Sequence, residues 1–109
     1  MAVKNKIQSI IALDFDTSNL TGIFQLVGNL THPCFYLKFL NNSNNVVVVS
    51  YDGTNPHDVV LASSGSDING QFNAALSTGI ANFPKGMPIY VISDTANVGD
   101  FFVIGYYQS

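Results

Sequence analysis

The chain is built of short apolar runs, each closed by a cluster of Asn, Asp, Gly or Ser, and this punctuation most restricts its fold. Residues 7–15 form a first run and residues 22–27 a second, ended by Gly28-Asn29. Runs 34–40 and 46–51 flank Asn41-Asn42-Ser43-Asn44-Asn45, whose Asn residues tolerate the positive φ that turns require. The second of these leads into Asp52-Gly53-Thr54-Asn55-Pro56, a strong turn signal. A fifth run, 59–62, is closed by residues 63–66, and runs 87–92 and 101–107 form a last pair around 94–100. Turn signals at intervals of roughly 8–12 residues predict an all-β chain. The expected fold is a single antiparallel β-sandwich over residues 1–109, jelly-roll-like or immunoglobulin-like. Residues 70–83 depart from the pattern. Phe72, Leu76 and Ile80 at helical spacing, with Asn69 as a cap, suit one short helix near 70–82. Gly79 and the adjacent Asn69-Gly70 favour an irregular crossover instead.

Two of the runs are apolar on both faces. In 34–40, Phe35, Leu37 and Phe39 alternate with Tyr36 and Leu40; in 101–107, Phe101, Val103 and Tyr107 alternate with Phe102, Ile104 and Tyr106. A parallel sheet would bury both faces under crossover helices, but the chain has no set of helical segments to supply them. An antiparallel sheet leaves one face wet, so the second apolar face calls for a cover. A neighbouring copy of the chain is the simplest one.

Composition points the same way. The 109 residues include no Arg, Glu or Trp, and Lys, Arg, Asp and Glu together make up 10% against a usual ~25%. So few charges cannot dress the surface of a small domain in which 47% of residues are hydrophobic. Four scattered Lys (Lys4, Lys6, Lys38, Lys85) and a formal net charge of −3 argue against nucleic acid as a partner, which needs clustered bases. No polybasic or cationic amphipathic stretch suggests a membrane surface, and no apolar run is long enough for a spanning helix. The single Cys34 rules out an intrachain disulfide. The start of the chain has basic residues but lacks the long apolar stretch and cleavage site of a signal peptide. The sequons at Asn19, Asn29 and Asn41 are therefore read as chance in an Asn-rich chain.

Each pattern that resembles a reactive centre lacks part of it. Asp14-Phe15-Asp16-Thr17 after an apolar run matches the nucleophile motif of haloacid-dehalogenase-type phosphatases. That chemistry needs a further acidic pair for Mg²⁺, a downstream Lys and an α/β alternation; only Lys38 and Lys85 follow. Asp52, Asn55 and Asp58 could ring a Ca²⁺, without the bidentate Glu such loops use. His32, Cys34 and His57 lack the paired short spacing of zinc ligands. No Gly-x-Ser-x-Gly elbow accompanies the many Ser and Asp residues. Cys34 suits a small buried position rather than a nucleophile. Tyr90, Tyr106 and Tyr107 could stack on sugar rings, but late-strand aromatics more often serve core or subunit contacts. The expectation is a protein with no catalytic, cofactor-binding or metal-binding residues.

A resemblance gives that expectation a setting. Residues 35–42 (Phe-Tyr-Leu-Lys-Phe-Leu-Asn-Asn) lead to Ser50-Tyr51-Asp52-Gly53 with His57. Then come Lys85-Gly86-Met87-Pro88-Ile89-Tyr90-Val91 and Gly99-Asp100-Phe101-Phe102-Val103-Ile104-Gly105-Tyr106-Tyr107. In this order they resemble small virion structural proteins of tailed bacteriophages, over roughly residues 35–107 with 63–82 poorly matched. The resemblance implies a non-catalytic β-sandwich located in the virion, without cofactors. It would occur in many copies as a homo-oligomer docking on major capsid, portal, neck or tail proteins. Capsid decoration, head–tail connection and the tail all fit. The alternative is a carbohydrate- or receptor-binding β-sandwich, which would present a concave Tyr patch with polar groups.

Overall fold

In the computed structural model, which describes residues 7–69, 83–93 and 98–108, the apolar alternation becomes nine strands. They are β1 (Ile7–Ser9), β2 (Leu13–Asp16), β3 (Gln25–Asn29), β4 (Tyr36–Asn42), β5 (Val47–Ser50), β6 (Asp58–Val60), β7 (Ser64–Asn69), β8 (Pro88–Ile92) and β9 (Asp100–Gln108). In the first sheet β1 and β2 lie one after the other along β9, followed by β4 and β7. The second sheet has the order β3-β8-β5-β6. All pairs are antiparallel.

The pairings nest. β5 pairs with β6, β4 with β7, β3 with β8 and β2 with β9. The chain is thus one long antiparallel hairpin with its tip at residues 51–57, rolled up so that β9 also meets β4 and β8 also meets β5. That winding is a jelly roll, and it decides between the two sandwich types that the spacing allowed. The expected short helix near 70–82 lies outside the described residues.

Inward positions supply the core. Leu37 and Phe39 of β4 and Phe101 and Val103 of β9 face Val47, Val49, Val60, Ile89 and Val91 of the other sheet, all 0–1% exposed. The Phe39 and Phe101 rings stack with centroids 6.1 Å apart. Each such side chain contributes about 1.5–3 kcal/mol by leaving water. Ile10, Leu20, Leu30 and Cys34 close the ends of this layer from the loops.

Several expected boundaries move. The first run is two strands, because Ile10 turns into the core, its N–H bonding Gly105 O at 2.8 Å, while Ile11 swings out, 91% exposed. Gly22, at φ +83°, ends a turn before β3, and Gly28-Asn29 belong to that strand beyond a bulge between Leu26 and Gly28. Residues 41–45 do not close a hairpin. Asn41 and Asn42 extend β4, and the following residues carry the chain across to the other sheet. Among the described non-glycine residues only Ser63 has positive φ. The last pair is likewise split, β8 lying in one sheet and β9 in the other. Of residues 63–66, expected to close a run, Ser63 does turn, at φ +52°, but Ser64-Gly65-Ser66 already begin β7.

Candidate functional site

The hairpin tip gathers four of the residues that the sequence offered for chemistry, Asp52, Asn55, His57 and Asp58. Asp52 accepts from the backbone N–H of Thr54 and Asn55, both at 2.8 Å, from Asn55 Nδ2 at 2.9 Å and from Ser50 Oγ at 2.9 Å. These donors, the Asn55 amide foremost, hold its carboxyl well below the usual carboxylate range. Gly53 sits at φ +79°, as the turn signal predicted, and a Cβ there would lie 3.1 Å from the Tyr90 ring. Ser50, Asp52 and His57 come together, but in the wrong order for a nucleophilic triad. The Ser50 hydroxyl donates to the carboxylate and accepts from Gly53 N, and His57 Nε2 lies 4.0 Å from the other side of Asp52. His57 Nδ1 accepts from Tyr51 N at 3.0 Å, and its ring stacks on Tyr51. Tyr51 in turn donates to Asp58 Oδ2 at 2.9 Å; burial and that carboxylate raise its phenol well above the ordinary value. The tip is a self-satisfied polar staple.

The other candidates lie apart. Asp14 is exposed on β2 opposite Phe102, and Asp16 accepts from Ser18 N at 3.0 Å and Ser18 Oγ at 2.7 Å, capping a single 3-10 turn, Thr17–Asn19. The Ser18 hydroxyl foremost, and its backbone N–H, hold the Asp16 carboxyl below its ordinary value. His32 stacks on Tyr107 at 4.0 Å, and Cys34 is fully buried with its thiol donating to His32 O at 3.2 Å. Among the described residues no three His, Cys or Asp side chains gather closely enough to hold a metal. Asn41, a sequon residue, is only 2% exposed. Its Nδ2 faces Asn45 O at 2.7 Å and Val60 O and Leu61 O at 3.1 Å, tying the end of β4 to the end of β6. Sequence reasoning missed that clamp. An Asn at an inward register position after Leu37 and Phe39 was the available signal.

The outward sheet faces are the remaining surfaces with distinct chemistry. On the first sheet Tyr36 lies opposite Tyr106, Lys38 opposite Ile104 and Leu40 opposite Phe102, all six half-buried. The Tyr36 and Tyr106 rings meet edge to face at 5.6 Å, and the Tyr36 hydroxyl donates to Asp67 on β7. That bond raises the Tyr36 phenol above its ordinary value. Of the three late-strand tyrosines, only Tyr106 shares this open face. Tyr107 packs against the core, and Tyr90 lies under the hairpin tip.

The outward face of the second sheet is aliphatic. Val48 stands between Val59 and Ile92, and Leu26 opposes Tyr90. The register that pairs Val47 with Val60 puts Val46 and Leu61 at the next step of the same face. Leu61 is 62% exposed, Val59 55%, Leu26 49% and Val46 45%, and the face carries no Lys or Asp. This face went unnoticed in the sequence because run 46–51 is apolar throughout and looks like core. No protein-family model matches the chain, and no curated protein or solved structure is significantly similar to it.

Proposed function

We propose that the chain is a non-catalytic structural protein of a tailed-phage virion, held in many copies by contacts with its own copies and with capsid, neck or tail proteins. The observation that carries the reading is the charge-free aliphatic face of Leu26, Val46, Val48, Val59, Leu61 and Ile92. Four strands about 4.8 Å apart and about five residues long give it an area of roughly 300 Å². A patch of roughly this size is comparable to the largest on a typical monomer, and such patches are often functional. The area is well short of the ~800 Å² per partner of a free-standing complex. Such a face suits an assembly in which each copy touches several neighbours. The jelly roll adds support by analogy only, since it builds viral capsid and lectin domains alike.

Sedimentation of the purified chain tests the contact. The wild type should associate at micromolar concentration, and Leu61→Asp or Val59→Asp should stay monomeric with an unchanged melting temperature. Mass spectrometry of purified phage particles tests the setting, where the chain should appear in many copies. A wild-type chain that remains monomeric at high concentration and is missing from particles would sink the reading.

A further inference from the structure

The two outward faces are chemically unlike, and the aromatic one has a shape of its own. Along the seam between β4 and β7 run three adjoining depressions. One of 440 Å³ is lined by Phe35, Tyr36, Lys38, Asp67 and Tyr106. A second, of 180 Å³, shares Lys38 and Asp67 and continues over Gly65 and Ser66. A third, of 390 Å³, lies by Leu40, Asn42, Ser64 and Phe102. From Tyr36 to Leu40 the seam spans about 13 Å at the rise of a strand. Aromatic rings thus stand at both ends of a polar middle.

We infer that this seam is a binding groove for a neutral, linear glycan. The apolar face of a sugar ring suits Tyr36 and Tyr106 at one end and Phe102 at the other, and its hydroxyls suit the polar groups between them. Lys38 and Asp67 sit directly opposite each other in the β4–β7 register, one a donor and the other an acceptor. Among the described residues no carboxylate lies within salt-bridge distance of Lys38. The Tyr36 hydroxyl engages Asp67 Oδ2, which fixes the carboxylate and leaves Oδ1 to a ligand hydroxyl. Gly65, with no side chain, keeps the middle of the seam low.

Charge and backbone exclude other occupants. Among the described residues Lys38 is the one base on this face and is matched by Asp67 and Asp14, so a phosphate or polyanion finds no net attraction there. A peptide joining as an extra strand would take the outer edge of β7, beside the groove and not in it, because β4 is hydrogen-bonded to β9 on one side and β7 on the other. With the β4 backbone already paired, the groove meets a ligand mainly with side chains, which suits a sugar.

Titration of the ¹⁵N-labelled chain with cellohexaose, maltohexaose and chitohexaose tests this, with oligogalacturonate as the anionic control. At about 10 mM even a site with a Kd of about 1 mM is nearly full. At least one neutral sugar should shift the amides of Tyr36, Lys38, Asp67 and Tyr106, and the anionic one should not. Tyr106→Ala and, separately, Asp67→Asn should each weaken that binding at least about tenfold, a loss of ~1.4 kcal/mol, with melting temperature unchanged. The proposal is overturned if none of the neutral sugars moves these amides, or if both variants bind as the wild type does. It is equally overturned if the face is instead shielded when copies of the chain associate. Sedimentation of the Leu61→Asp chain reads the second sheet independently, so failure here is distinguishable from failure of the assembly contact.

Discussion

The thiol of Cys34 lies against the backbone of Gly105, so close that a Cβ at Gly105 would sit 2.6 Å from Sγ. A residue with no side chain in the middle of β9 is what lets Cys34 close the core beside Leu37. Gly105→Ala should therefore cost about 1–3 kcal/mol through overpacking. In a Cys34→Ala background the cost should shrink, since the clashing sulfur is gone. Urea unfolding of the four chains in that cycle gives the coupling. Equal costs in both backgrounds would show that the strain lies elsewhere.

The same burial raises the Cys34 thiol above its ordinary value. Thiol reagents at neutral pH should label it only as fast as the sandwich opens. The check is the labelling rate against urea concentration, which should follow the unfolding curve. Rapid labelling of the fully folded chain would contradict a closed core end.

Asn41 should be among the costliest polar positions. Asn41→Leu leaves the carbonyls of Asn45, Val60 and Leu61 without that donor and strips the Ser43 hydroxyl, 2.6 Å away, of its acceptor. The expected loss is about 1–3 kcal/mol, measured by chemical denaturation. Asn29→Leu removes one bond, to Gly86 O, at an exposed site and should cost less.

Stability should fall at both ends of the pH scale, for separate reasons at the hairpin tip. The Asp52 carboxyl is depressed in the folded chain. Its contribution is therefore present above the unfolded value of about 3.9 and is lost as pH falls toward the folded one. Tyr51 is raised, so its contribution is present below about 10 and is lost as pH climbs above that. Melting curves should show the acid limb flattened in Asp52→Asn and the alkaline limb flattened in Tyr51→Phe.

Gly53 completes the tip. At φ +79° and against the Tyr90 ring, Gly53→Val should cost at least ~1 kcal/mol and disturb the β5–β6 register. An unchanged melting temperature would mean that the turn is built differently.

The alternation of residues told which side chains share a face, but not which face is inside or which strand lies beside which. Leu37, Phe39, Phe101 and Val103 were assigned to one face each from spacing, and all four are buried. Strand β7 was missed because Ser64-Gly65-Ser66-Asp67 has the composition of a turn; its ladder comes from β4, and strand preference depends on such partners more than on the residues themselves. The Asn-rich link 41–45 resembles a hairpin loop for a related reason, since a turn and a crossing between sheets draw on the same residues. The groove of Tyr36, Lys38 and Asp67 joins positions 31 residues apart, from Tyr36 to Asp67, and only pairing brings them together. By contrast the tip, where every side-chain hydrogen bond joins residues within seven positions, was legible in outline from Asp52-Gly53.

The nested pairing has a consequence for how the chain reaches this state. Among the described strands only β5 and β6 are both adjacent in sequence and paired, so of the described pairs theirs is the one that can form locally. Each later pair, β4 with β7, β3 with β8 and β2 with β9, closes a longer loop than the one before, and such topologies fold slowly. During synthesis β1, β2 and one side of β4 have no partner until residues 100–108 emerge. The last of the described strands is an inner strand of the first sheet, so β1, β2 and β4 each keep an apolar edge uncovered until that strand is made.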